Sequence, residues 1–156
     1  MKKYIGTKLI AARLMDRATY NWYRGWDLSS DEEGTDEGYL VEYLDGGASN
    51  HKDHEGYISW SPIEVFDKSY RRTTGISFGL ALESLKLGKR VARKGWNGKG
   101  IFIELQMPDN HSKMTSPYIF IDTTGLQTDN EAAPKSLVPW LASQTDMLSD
   151  DWEIIK

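Results

Sequence analysis

Six cations fall between Lys86 and Lys99, at Lys86, Lys89, Arg90, Arg93, Lys94 and Lys99, with no acidic residue among them. Positive charge at that density attracts anions, and the same stretch carries Gly95-Trp96-Asn97-Gly98. A Trp face can stack on a base, an amide side chain can pair with a base edge, and glycines leave backbone N–H groups open to phosphate oxygens. The same residues also suit a solvated helix end followed by a hairpin edge, where lysines discourage pairing with another chain. A Walker loop is excluded, because Lys99 precedes Gly100 and no glycine stands five positions before Gly98.

A second constellation is Val138-Pro139-Trp140-Leu141-Ala142-Ser143-Gln144-Thr145-Asp146, which gathers an aromatic ring, two hydroxyls, an amide and a carboxylate. That chemistry suits a ribose and a base. Hydroxyl-rich segments also cap helices, and Ser143 or Thr145 could start a turn at Met147 to Ser149. His51 and His54 lie three apart in a loop bounded by Gly and Asn, which gives no rigid element to aim both at one ion, so no metal site is expected. The carboxylates from Asp31 to Glu37 do not have EF-hand spacing and read as a solvated acidic turn. No GxSxG serine exists, and His111 lies in a polar loop with no cysteine nearby, so catalytic residues are expected to be none.

The elements that must hold these groups follow from periodicity and turn chemistry. In the second half, Ser77 can cap a helix from Phe78 to Leu87, with Phe78, Leu82 and Leu85 on one face and Gly88 as the left-handed stop. Lys89 to Arg93 and Ile101 to Met107 form the arms of a hairpin around Trp96 to Gly100. Tyr118 to Asp122 and Trp152 to Ile155 supply further strands, and the polar run Thr123 to Lys135 reads as a loop too hydrophilic to pack. In the first half, Tyr4 to Met15 reads as a strand, and Asp16 caps a helix that Gly25 ends near Arg24. Gly38 to Asp45 and Gly56 to Trp60 read as strands. Ser61-Pro62-Ile63-Glu64 has capping-box spacing with proline at the first helical position.

Arg71-Arg72-Thr73-Thr74-Gly75 separates these two patterns. The expectation is an α+β protein of two small modules, residues 1–72 and 76–156, each a short antiparallel sheet with one or two short helices. With 156 residues and 39% hydrophobic content, the chain has enough apolar mass to fold without metal or cross-links. It lacks cysteine, which excludes disulfides and thiolate chemistry and fits a reducing compartment. The net charge of -4 argues against coating a DNA or RNA polymer, which needs a broad basic surface. No apolar run is long enough for a membrane span, and Lys8 and Arg13 interrupt the start where a secretory core would be apolar, so a cytoplasmic protein is expected.

Four motifs, Phe78-Gly-Leu-Ala-Leu-Glu-Ser-Leu-Lys86, Val91-Ala-Arg-Lys-Gly-Trp-Asn-Gly-Lys-Gly100, Val138 to Asp146 and Asp150-Asp-Trp-Glu153, stand in an order that closely resembles the second Thoeris anti-defence family of phages. The resemblance covers about residues 76–156. It implies a small α+β oligomer, dimer or tetramer, that sequesters cyclic ADP-ribose isomers in the infected bacterial cytoplasm without cleaving them, in a pocket between protomers. Some relatives also take up cyclic di- or trinucleotides, and no cofactor is implied. Under it, Trp96, with Phe78 or Trp140, serves as a base platform, and Arg93 or a neighbouring cation meets phosphate. Asn97, Ser143, Thr145 and Asp146 take the polar edges and ribose hydroxyls. Two rival readings stand beside it. One is a hydrolase of the same signal, for which Asp146 is the only candidate base; the other is a module that inhibits a host protein directly. Residues 1–72 resemble phage reading frames of unknown activity.

Overall fold

The computed structural model describes residues 1–3 and 6–155. The chain is α+β and divides into two compact units, Met1–Tyr70 and Arg71–Lys156. Among the described residues no helix is long and apolar enough to cross a membrane.

The first unit is a three-stranded antiparallel sheet in the order β1-β2-β3, with β1 at Ile10–Leu14, β2 at Gly38–Tyr43 and β3 at Ile58–Pro62. Helix α1, Arg17–Arg24, starts where the Asp16 carboxylate accepts the Thr19 N–H at 2.7 Å and stops at Gly25, whose φ of 70° is left-handed. It buries Tyr20 against Leu40 and Ile58, with Met15, Tyr23 and Trp60 around them. Helix α2, Ile63–Ser69, sets Phe66 on Tyr39 with ring centroids 3.9 Å apart.

Two expectations change here. The first strand is shorter than Tyr4 to Met15; Tyr4 and Ile5 lie outside the described residues, and pairing begins at Ile10. The capping box at Ser61 does not form. Pro62 is the cap residue and pairs with Gly38 in the sheet, so the strand runs straight into α2. The Ser61 hydroxyl donates to the Pro62 carbonyl at 3.4 Å, and the Ile63 N–H is satisfied by the Glu37 carbonyl at 3.0 Å.

The second unit is a six-stranded sheet in the order β4-β9-β5-β6-β7-β8, with every neighbour antiparallel. Its strands are β4 (Thr74–Ile76), β5 (Arg90–Arg93), β6 (Phe102–Gln106), β7 (Tyr118–Asp122), β8 (Leu137–Pro139) and β9 (Trp152–Ile155). Helix α3, Phe78–Lys86, lies over β5 and β9 and ends before Gly88, at φ 74°. Ala81, Leu85, Val91, Ile103, Ile76 and Trp152 form the buried core. Ser77 precedes α3 as expected, yet its hydroxyl makes no capping bond.

Two strands escape the pattern reading. Thr74–Ile76 overlaps the end of the stretch read as a separator, Arg71 to Gly75, yet it pairs with β9 across an irregular register. Leu137–Pro139 is an exposed edge strand paired only with β7, and an edge strand carries little of the alternation that marks a half-buried one. Strand β9 lies between β4 and β5, second from one edge of the sheet, so it is paired on both sides.

Candidate functional site

The turn from β5 to β6 projects Trp96, Asn97 and Gly98 beside the end of β7. A groove of about 420 Å³ opens there, lined by these three, Ile101, Ile121, Thr123, Leu126, Thr128 and Trp140. Its second wall comes from the loop after β7, held to the first by the Lys99–Gln127 bridge. Gly100 makes that approach feasible: its φ is 77°, and a side chain there would run into the Gly125 carbonyl. Thr123 and Thr128 are the polar residues that sequence reading missed. They lie in the run judged too hydrophilic to pack; the Thr123 hydroxyl holds that loop by accepting the Ser136 N–H at 2.9 Å.

Behind the groove, Phe78, Trp96, Trp140 and Trp152 form one aromatic cluster. Trp152 is fully buried. Trp96 meets Trp152 at 5.4 Å and Trp140 at 6.2 Å, both edge to face, which is the favoured aromatic geometry. Phe78 contacts Trp140 and Trp152 on the core side and does not line the groove.

The charged residues are distributed differently from the sequence reading. The Arg93 guanidinium, 11% exposed, donates from Nη1 to Asp146 Oδ1 at 2.8 Å and from Nε to Asp151 Oδ1 at 2.7 Å. Lys86 pairs with Glu83 at 2.7 Å, and Arg90 pairs with Glu104 at 3.0 Å while lying over the Phe102 ring. Half of the six cations are thereby neutralised. Lys89, Lys94 and Lys99 are exposed and have no ion pair among the described residues.

Ser143 is the N-cap of the short helix α4, Gln144–Met147, and shares a capping box with Asp146. Asp146 is 8% exposed. Burial opposes its ionisation, but the Ser143 hydroxyl, the Arg93 guanidinium, the Ser143 N–H and the Trp96 indole outweigh it and bring the pKa down to about 2. Asp151 is lowered as well, by Arg93 first and, against the cost of burial, by the Gly95 N–H. Thr145 is exposed on α4, outside the groove; its carbonyl accepts the Ser149 hydroxyl at 2.6 Å. The structure thus brings Trp96, Asn97 and Trp140 to one surface, places Arg93, Asp146 and Phe78 behind it, and leaves Ser143 and Thr145 on α4.

A second groove, of about 460 Å³, lies in the first unit beside Glu42, Asp53, His54 and Glu55. His54 Nδ1 is 2.7 Å from Glu42 Oε2, and its Nε2 is 3.0 Å from the Tyr23 hydroxyl. His51 stacks on Tyr23 at 4.4 Å. Both rings are thereby committed within the unit. Among the described residues, no group of three or more His, Asp or Glu is placed to hold a metal ion.

Compared with known proteins, residues 76–155 match the profile of the Thoeris anti-defense 2-like domain. A protein of Bacillus phage SP01 described as Thoeris anti-defense 2 is 38% identical over 86 residues, 53% of this chain and 97% of that relative. The aromatic groove lies wholly within the matched region, and the first unit lies outside the profile.

Proposed function

Because the chain belongs to the Thoeris anti-defense 2-like family across residues 76–155, we propose that it serves phage anti-defence by binding a cyclic nucleotide immune signal and withholding it uncleaved. The ligand class is cyclic ADP-ribose isomers, extending to cyclic di- and trinucleotides, and the setting is the cytoplasm of the infected cell. The observation that carries this reading is the groove between Trp96 and Trp140. Its volume of about 420 Å³ falls within the roughly 300–1,000 Å³ of small-molecule sites. Two indoles supply stacking platforms, and the Asn97 side chain has no hydrogen-bond partner among the described residues, leaving it free for a base or ribose edge. Lys94 and Lys99 flank that turn and supply positive charge for phosphate.

Magnitudes favour enclosure by a second copy. A nanomolar Kd requires about -12 kcal/mol, and stacking contributes roughly 1–3 kcal/mol per base. Charge-assisted contacts must supply the remainder, and those strengthen when water is excluded. Leu141, next to Trp140, is 91% exposed, and Leu137 and Leu148 are also exposed. A homodimer or tetramer that covers these residues would close the groove.

The test is calorimetric titration of the full chain with glycocyclic ADP-ribose, beside Trp96→Ala. Wild type should bind at nanomolar Kd. The variant should bind about 5- to 150-fold more weakly, the equivalent of one lost stacking contact. A folded Trp96→Ala protein that binds as tightly as wild type would remove the groove from the account.

A further inference from the structure

Asp146 looks in sequence like a ligand-binding carboxylate, but its surroundings leave it no free acceptor. A carboxylate offers about four lone-pair positions. Oδ1 receives Arg93 Nη1 at 2.8 Å and Trp96 Nε1 at 3.1 Å. Oδ2 receives the Ser143 hydroxyl at 2.7 Å and the Ser143 N–H at 3.0 Å. The backbone of the same residue is also engaged, since its carbonyl accepts the Trp152 indole N–H at 3.0 Å. One residue therefore fixes the indole N–H of two tryptophans whose rings meet at 5.4 Å.

We infer that Asp146 is a positioning residue: it sets the orientation of Trp96 in the groove and does not touch the ligand. The inference rests on the functional reading above. An indole can rotate about two side-chain torsions, and its stacking face is useful only if one orientation is held before the ligand arrives. Packing against Trp152 restricts the ring, and the bond from Nε1 to Asp146 selects which edge points inward. Arg93 keeps that carboxylate ionised and in place. Asp151 anchors Arg93 from its other side and accepts the Gly95 N–H at 2.8 Å, next to Trp96 in the chain. The two carboxylates and the guanidinium thus form a rigid mount beneath the turn that carries Trp96 and Asn97.

The experiment is an Asp146→Asn substitution in the full chain, with two readouts. The first is the Trp96 indole N–H resonance of the free protein; the second is the affinity for glycocyclic ADP-ribose. Asparagine retains an acceptor but loses the charge and presents an N–H toward the Ser143 donors. The expected result is a shifted or broadened Trp96 signal without ligand, together with binding on the order of tenfold weaker, the loss of a charge-assisted bond. If Asp146→Asn fails to fold, Ser143→Ala perturbs the same carboxylate more gently, and the two readouts should again move together. Weakened binding with an unmoved Trp96 signal would mean direct ligand contact and overturn the inference, as would unchanged binding in a folded variant. Wild-type protein that binds no probe would instead overturn the functional reading, and the positioning role with it.

Discussion

The chemistry of the second unit turns on residues whose roles depend on what lies next to them. Arg93 is the sharpest case. Its place in a run of six cations suggests a phosphate contact, but its two carboxylate partners come 53 and 58 residues later in the chain. No local pattern announces such a pairing, which is why the site was only partly legible. Trp96 and Asn97 were legible because the turn that presents them is written in adjacent residues. Linkage gives a prediction for Asp146. Its folded pKa of about 2 lies below the ordinary carboxylate value of 3.8, so it stabilises the fold fully above about pH 4. That contribution, about 2 kcal/mol by the shift, is lost as pH falls through 2. Urea unfolding of wild type should show a flat stability above pH 5 and a fall between pH 4 and 2, with a shallower fall in Asp146→Asn. Identical acid limbs would contradict the assignment.

Helix α1 formed where its local signals placed it. Helix α1 has a capping carboxylate, a left-handed glycine and a buried Tyr20 between them. Removing the cap by Asp16→Ala should lower the urea midpoint of the first unit. An unchanged midpoint would show that packing alone holds the helix. The β5–β6 turn depends instead on Gly100, whose positive φ and closeness to the Gly125 carbonyl leave no room for a side chain. Gly100→Ala should destabilise the protein by roughly 2 kcal/mol, from left-handed strain and the displaced loop. It should also weaken ligand binding, because the groove's two walls are joined there. The strands that escaped sequence reading, β4 and β8, are three-residue strands at the two edges of the sheet. Their pairing comes from distant partners, and three residues cannot show a period.

At the scale of the whole molecule, the matched family region and the aromatic groove coincide, while the first unit contributes its own sheet and its own histidine network outside that region. A signal-binding protein without catalytic turnover must be present in stoichiometric amounts, and its effect is set by mass action. The free signal falls only as far as binding sites outnumber it and Kd lies below its concentration. This separates sequestration from hydrolysis, in which a trace of protein would clear any amount of signal. Asp146, the carboxylate a hydrolase would need, has its acceptor positions filled by Arg93, Trp96 and Ser143. The most direct measurement is therefore to saturate the purified protein with glycocyclic ADP-ribose, incubate for hours, denature it by heat and analyse the released small molecule by chromatography. The account predicts quantitative return of intact ligand in a fixed ratio to protein. Recovery of hydrolysed product, growing with time beyond one equivalent per site, would contradict it.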